Sequence, residues 1–316
     1  MPRPHMCPEA LLRTDLTGKT FVVTGGSSGI GLVTVEQLAK QGATVVLACR
    51  RVAEGERAAA EMKARGARGP IEVMSLDLAD LASVRAFAAA FLAKHDALHG
   101  LVNNAGVMNT PKGTTKDGFE TQIGTNHLGH FLLTELLLGA LEKGAPSRIV
   151  ALSSCYHDMA QGREGRIDLD DLHFERRPYD GWSAYAQSKL ANVLHARELS
   201  RRLADKGITA VSVHPGWVRT NLIRQTMPTW LQDTVLRPFL RLSGMIEPWE
   251  GAQTTLYALL APEIESGAYY SQTGMYREKK LAAGGWPMRS PNPNAHDDGM
   301  AARFYDTSRA LVGLSG

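Results

Sequence analysis

The sequence predicts a doubly wound α/β fold, with a parallel sheet of about seven strands and helices on both faces. Three observations carry this expectation. Short β-branched runs alternate with longer helical patterns. The runs are apolar at consecutive positions, as strands buried on both faces must be. The stretches between them are long enough for crossover helices, and such crossovers are right-handed.

The elements follow in order. Phe21-Val22-Val23-Thr24 reads as the first strand and Thr44 to Ala48 as the second. Ile71 to Leu76, Leu98 to Asn103, Arg148 to Ser153, Thr209 to His214 and Ala268 to Ser271 read as the rest. Amphipathic stretches at Gly31 to Gln41, Val52 to Arg65, Ser83 to His95 and Phe119 to Glu142 have apolar residues at three- and four-residue spacing. The rhythm breaks at Asn221 to Glu247, rich in Met, Trp, Leu and Phe, and again after Gly284. With 316 residues and no evident linker or repeat, the expected organisation is one domain over 1–316, with 221–247 inserted in it.

Composition bounds the function. The chain is 44% hydrophobic and 21% charged, ordinary for a globular protein. A net charge of +3, without basic runs interleaved with aromatics, argues against nucleic-acid binding. Three scattered cysteines, Cys7, Cys49 and Cys155, make no disulfide framework and suit a reducing compartment. No CxxC or His-rich cluster suggests a metal site. The segment from Met1 to Gly18 has no apolar core, and Phe131 to Leu141 is too short to span a bilayer. The expectation is a cytoplasmic protein with no membrane anchor.

Thr24-Gly25-Gly26-Ser27-Ser28-Gly29-Ile30-Gly31 follows the first strand and opens a helix. Gly25 permits a tight turn, Gly29 a close backbone approach, and Gly31 close packing of helix on sheet. A diphosphate would meet free N–H groups at this helix N-terminus. The sheet is therefore expected to be of the Rossmann type, binding a dinucleotide. The second strand ends in Cys49-Arg50-Arg51, with no acid before Glu54. An NAD site usually places an acid there, whereas guanidinium suits a 2′-phosphate. The expected cofactor is thus NADP(H), with NAD(H) as the other candidate; a solvated Arg pair is the plainer reading. Asp77, after the third strand, reads either as an adenine ligand or as a helix N-terminal acid. Asn103-Asn104-Ala105-Gly106 ends the fourth strand, where open α/β sheets bind ligands.

Tyr185-Ala186-Gln187-Ser188-Lys189 begins a helix running to about Leu203, so Tyr185 and Lys189 share a face. A free phenol titrates near ~10, and acting near neutrality takes roughly 4 kcal/mol of differential stabilisation. A neighbouring ammonium supplies part of that. Ser153-Ser154 ends the fifth strand and offers a hydroxyl to a substrate oxygen.

With TGGSSGIG, NNAG, Asn126 in TNHLGHF, Ser154, YAQSK and His214-Pro215-Gly216 in this order, the chain resembles a short-chain dehydrogenase/reductase from about Lys19 onwards. LACR, SKLANVL, HPGWVRT, Ile167 to Leu172 and the late SPNP and FYDTSRALVG segments make it most similar to the retinol dehydrogenase-like branch. The resemblance implies a carbonyl/alcohol oxidoreductase. Tyr185 would be the general acid/base. Lys189 would bind the nicotinamide ribose and lower the tyrosine pKa. Ser154 would polarise the carbonyl, and Asn126 would hold a relay water. It implies cofactor contacts at Gly25, Ser27, Ser28, Gly29, Ile30, Gly31, Arg50, Arg51, Asp77, Leu78, Asn104, Ala105, Gly106, Tyr185 and Lys189, and at Pro215, Gly216, Val218 and Thr220 further on. It also suggests a dimer or tetramer packed through helices around 119–143 and 182–203. A light-driven tetrapyrrole reductase on the same frame and a non-catalytic NADP(H)-binding scaffold are the competing readings. The apolar 221–247 segment falls where the family places its substrate lid. Its Met and aromatic residues suit a lipophilic carbonyl or alcohol, although core packing explains part of the pattern.

Overall fold

Consecutive apolar residues along the first strand feed two cores at once. Phe21 and Val23 join one buried cluster, while Val22 joins another on the opposite face. The second strand repeats the pattern, with Val45 and Leu47 on one side and Val46 and Ala48 on the other. The computed structural model that shows this describes residues 3–218 and 245–314. The segment expected as a lid, 221–247, lies outside the described residues except for Met245, Ile246 and Glu247, as does Thr220.

The first half runs α1 (Glu9–Leu12), β1 (Thr20–Thr24), α2 (Gly29–Lys40), β2 (Thr44–Cys49), α3 (Val52–Ala64) and β3 (Ile71–Ser75). It continues through α4 (Leu81–Leu92), β4 (Gly100–Asn103), α5 (Thr121–Ile123), a π-helical turn (Gly124–Leu128), α6 (Gly129–Lys143) and β5 (Ser147–Leu152). A small hairpin of β6 (Met159–Ala160) and β7 (Arg163–Glu164) precedes α7 (Gly181–Arg202) and β8 (Ile208–His214). The described C-terminal part holds α8 (Pro248–Leu260), β9 (Tyr269–Ser271), β10 (Gly285–Met288) and α9 (Asp298–Leu311).

The sheet order is β10-β9-β8-β5-β4-β1-β2-β3. All pairs are parallel except β9 with β10. The sheet thus has eight strands where the sequence suggested about seven. The extra one, β10, is four residues long and contains Pro287, which suits only an edge strand. That composition hides it from a reading based on apolar alternation.

Helix starts are set by local side chains. Asp80 accepts from Ala82 and Ser83 N–H at the head of α4, and Asp180 accepts from Ser183 N–H at the head of α7. Glu247 and Glu250 form a capping box around Pro248 at the head of α8. Among the described residues, no helix is long and apolar enough to cross a membrane.

Helix α9 lies on α6 and α7. The Phe304 ring stacks on His127 at 4.7 Å, and the Arg202 guanidinium sits 3.9 Å from the Tyr305 ring centre. Glu135 receives Tyr305 Oη and Arg309 Nη1, both at 2.7 Å. Arg197 pairs with Asp298 at 2.6 Å and Arg202 with Asp306 at 3.0 Å. The helices expected to join subunits are therefore covered here by the chain's own C-terminus.

Between α6, α7 and α9 lie His127, His130 and His195, all buried. Burial pushes His127 down to about 3 and His130 to about 4, and holds His195 well below its ordinary value. His157 and His214 are pushed down by burial likewise, to about 4 and about 3. These groups gain protons on unfolding once the pH drops below about 6.5, so acid favours the unfolded chain. Each contributes a loss of about 1.4 kcal/mol per pH unit between the unfolded and folded pKa values. Urea midpoints measured from pH 7 to pH 4.5 should therefore fall steeply, and His195→Phe should make the fall shallower. A midpoint that stays level from pH 6.5 to pH 5 would show that these rings are not buried neutral.

Candidate active site

The glycine loop adopts backbone that other residues resist. Gly25 and Gly29 have φ of 67° and 56°. A Cβ on Gly31 would stand 2.4 Å from Gly25 O and 2.6 Å from Asn104 Nδ2. Ser28 precedes α2 in extended backbone, and its side chain does not cap the helix. The first turn thus presents uncapped N–H groups beside a glycine cradle, which fits a dinucleotide pyrophosphate. Ile30 is buried beneath the turn.

At the end of β2 both arginines are exposed. Arg51 pairs with Glu54 at 2.9 Å. Cys49 is buried, with its thiol pushed up by burial and hydrogen-bonded in part to Ser27. Asp77 Oδ1 accepts from Ala79 N–H at 3.0 Å, so this acid shapes the turn into α4. The cap of α4 itself is Asp80. The Leu78 side chain is core, and a Cβ on Gly129 would lie 2.4 Å from its carbonyl.

Thr24 ties β1 to β4, a role the sequence reading did not assign. Its hydroxyl accepts from Asn104 N–H at 2.9 Å and Ala105 N–H at 3.0 Å. Asn104 Nδ2 returns a bond to Thr24 O at 2.7 Å. The Thr24 hydroxyl also meets His130 Nε2 at 2.8 Å, and His130 Nδ1 meets Asn126 O at 3.1 Å. Asn104, Ala105 and Gly106 are thereby fixed against the glycine loop.

Asn126 lies in the π turn and is fully buried. Its Oδ1 accepts from Val107 N–H at 2.8 Å, and its Nδ2 donates to Val107 O and Ser188 Oγ, each at 2.9 Å. Both amide hydrogens are thus used by protein. A Cβ on Gly106 would lie 3.0 Å from Asn126 Oδ1 and 3.5 Å from Lys189 Nζ. The fold therefore brings Asn126, Gly106 and Lys189 to one place.

Ser154, Tyr185 and Lys189 are all buried. Lys189 Nζ donates to Leu152 O at 3.1 Å and sits 5.6 Å from the Tyr185 ring centre. Burial pushes the Lys189 amine down to about 8. Burial also holds the Tyr185 phenol above its ordinary value, with a Ser154 hydrogen bond acting the other way. This differs from the expected depression by Lys189. The reason is that a low-dielectric setting disfavours both the phenolate and the ammonium.

Two aromatic residues that sequence reasoning missed flank the phenol. Tyr156 and Trp182 have ring centres 6.2 and 6.4 Å from Tyr185, and 5.3 Å from each other, all edge to face. Both are only half-buried, so they wall the approach to the reacting group. Their adjacency to Ser154 and to the start of YAQSK was the available signal.

The branch-specific segments hold this site in place. His157 Nδ1 meets Ser154 O and His157 Nε2 meets Ser290 Oγ, each at 2.6 Å. Asn292 Nδ2 donates to His157 O at 2.6 Å. The late Ser-Pro-Asn-Pro segment thus braces the Ser154 turn. Arg177 reaches Asp168 at 3.2 Å and Gln187 Oε1 at 3.0 Å, clamping the 168–177 loop to α7.

After β8, Gly216 has φ of 91° and Pro215 precedes it. Val218 pairs with Ile246, and Trp217 O accepts from Ile246 N–H at 2.9 Å. Since β8 runs parallel beside β5, this loop leaves the same edge of the sheet as Ser154.

The short chain dehydrogenase profile matches residues 19–167. Bovine retinol dehydrogenase 12 is 44% identical over 306 residues, covering 96% of this chain and 89% of its own. Human retinol dehydrogenase 13 is 41% identical over 98% of this chain and 88% of its own.

The chain belongs to the short-chain dehydrogenase family, on its retinol dehydrogenase-like branch.

An uncharacterised protein from Mycobacterium paratuberculosis has a similar solved structure, with a TM-score of 0.73, 38% identity and 95% of both chains covered. As a short-chain dehydrogenase, the protein is a CH–OH oxidoreductase with a nicotinamide dinucleotide as its redox partner. Gly31→Ala tests the cradle directly. Backbone lies within 2.4 Å of the added methyl, so the loop must shift. NADPH binding, read by quenching of tryptophan fluorescence, should be lost while the far-ultraviolet dichroism is kept. Wild-type affinity in Gly31→Ala would place the diphosphate elsewhere.

Proposed function

We propose that the enzyme interconverts a lipophilic aldehyde or ketone and its alcohol with NADP(H), using Tyr185 as general acid and base. The convergence of Ser154, Tyr185 and Lys189 in one buried cluster, walled by Tyr156 and Trp182, carries this reading.

When bound, the nicotinamide supplies or accepts the hydride. The remaining work falls to the chain. Tyr185 is held as a neutral phenol, which is the form needed to donate a proton to a carbonyl oxygen during reduction. Ser154 offers a second hydrogen bond to that oxygen. Lys189, its amine pushed down to about 8 and so still mostly protonated at neutral pH, steadies the phenol and faces the Gly106 cradle. Asn126 fixes Val107 and Ser188 around them through its side chain. Its amide hydrogens being engaged, a relay water at Asn126 would have to use its main-chain oxygen, which meets His130 Nδ1 at 3.1 Å. Tyr185→Phe should cut turnover on the order of a hundredfold or more with NADPH affinity nearly unchanged. Turnover at the wild-type level would remove Tyr185 from the mechanism.

For the cofactor, the support is the absent acid at the end of β2 and the exposed Arg50. With Arg51 engaged by Glu54, Arg50 is the better placed to meet a 2′-phosphate, at a charge-assisted bond's strength. Arg50→Ala should lower kcat/KM for NADPH about tenfold more than for NADH. A wild-type preference for NADH would show that these arginines serve something else. The three cysteines are all unpaired, in keeping with a cytoplasmic setting.

For the substrate, the relatives are named for retinol, an apolar alcohol, and aromatic walls favour such molecules. Each buried methylene contributes about 0.8 kcal/mol, or roughly fourfold in kcat/KM. Across aliphatic aldehydes kcat/KM should therefore rise with chain length, and Trp182→Ala should flatten the rise. Better turnover of small polar aldehydes would reject the lipophilic class.

A further inference from the structure

Residues 3–8 have no secondary structure, yet their backbone is held by buried glutamines. Gln272, fully buried just after β9, takes the main one. Its Oε1 accepts from His5 N–H at 2.6 Å, and its Nε2 donates to His5 O at 2.8 Å. One side-chain amide thus pairs with both backbone groups of one residue, as a neighbouring strand would. Gln253 Oε1 accepts from Cys7 N–H at 3.2 Å. The His5 ring lies 5.3 Å from Trp286, and His5 Nε2 meets Ala283 O at 2.9 Å.

The same Gln272 faces the loop after β8. Its N–H donates to His214 O at 2.9 Å, prolonging the β8–β9 pairing by one residue. A Cβ on Gly216 would stand 3.1 Å from Gln272 Cγ. Gln272 Nε2 also reaches Glu250 O at 3.3 Å in the first turn of α8, and α8 meets the same loop through Gly251 and Val218. Three segments therefore converge on Gln272 in the turn after β9: the N-terminal strap and α8 on its amide, and the Pro215–Val218 loop on its Cγ.

We propose that Gln272 is a positioning residue for the nicotinamide-binding loop, and that the N-terminal strap at His5 locks it there. This rests on the reading of Pro215–Val218 as a cofactor-binding loop. The Gln272 side chain sits behind Gly216, where its volume sets how far the loop can retreat. The two bonds to His5 hold that side chain in its rotamer. Without the strap, the buried amide loses its two shortest bonds and keeps only the longer ones, to Glu250 O and from Thr273 N–H, each at 3.3 Å, so its rotamer loosens and the loop with it.

Deletion of residues 1–7 and Gln272→Met test this in the full-length enzyme, with Gln41→Ala as comparison. Gln41 Nε2 holds the chain farther along, at Leu11 O and Thr14 O, each within 2.9 Å. Each variant is measured for NADPH affinity by fluorescence, for KM and kcat, and for melting temperature. Deletion and Gln272→Met should each weaken NADPH about tenfold, the size expected for one or two lost buried hydrogen bonds. KM for the cofactor should rise while kcat changes little. The two changes combined should weaken binding no further than either alone, because both act through one amide. Gln41→Ala should lower the melting temperature and leave NADPH affinity alone. If wild type binds NADPH and both variants match it within twofold, the proposal is overturned. An affinity loss that simply tracks melting temperature across all three variants overturns it too. A wild type that neither binds nor turns over NADP(H) would remove this proposal together with the proposed function.

Discussion

A single carbonyl, that of Leu152 at the end of β5, orients the reacting helix. It accepts from Lys189 Nζ at 3.1 Å and from Asn192 Nδ2 at 2.9 Å. Ser153 Oγ donates back to Lys189 O at 2.8 Å. Residues 189 and 192 lie on adjacent positions of one face of α7, so these bonds fix both its rotation and its height. With α7 so fixed, Tyr185, one turn earlier, must point toward Ser154, which follows β5 by two residues. Rotating the helix would strand a buried amine and a buried amide without acceptors, a loss several times that of one hydrogen bond.

This pin is reinforced from behind. Asn192 Oδ1 meets His127 Nδ1 at 3.3 Å, and His127 Nε2 meets Ser308 Oγ of α9 at 3.1 Å. The carbonyl at the site is thus connected through two side chains to the C-terminal helix. Burial that deep has a chemical cost and a chemical use. It disfavours both the ammonium of Lys189 and the phenolate of Tyr185. In the proposed mechanism the proton therefore stays on Tyr185 until a developing alkoxide takes it.

The sheet, the glycine loop and the positions of Tyr185, Lys189, Ser154 and Asn104 were legible in the sequence, because each depends on local pattern. A strand apolar at successive positions has only one common environment, and a glycine cluster between strand and helix has few uses. What escaped was non-local. Thr24 reads as the last residue of a strand, and only the neighbouring β4 makes its hydroxyl an acceptor for Asn104 and Ala105. Tyr156 and Trp182 are separated by a loop of more than twenty residues, so no spacing rule pairs them. Helical spacing placed an amine beside a phenol but carried no information about how dry that place is, and burial is what holds the phenol above its ordinary value. Covering of α6 and α7 by α9 was hidden for the same reason, since an amphipathic helix does not reveal whether its partner is its own chain or another.

The additions beyond the dinucleotide-binding core share one mechanical logic. Strand β5 and helix α7 carry the reacting groups, and both are braced from the C-terminal side, by Ser290 and Asn292 on His157 and by Ser308 on His127. The loop after β8 is braced from the other end of the chain, by His5 through Gln272. Each brace attaches to backbone or to a buried polar group and not to the reacting atoms themselves. A substrate therefore meets side chains whose orientation was settled before it arrived, and binding energy need not be spent ordering them. The two half-buried rings at the approach, Tyr156 and Trp182, differ in kind. They lie edge to face with Tyr185 and stay half-exposed, which leaves apolar surface that a hydrocarbon chain can cover. On the proposed reading, chemistry on the rigid side and apolar selection on the open side are separated in space, so that the identity of the substrate can change without disturbing Tyr185.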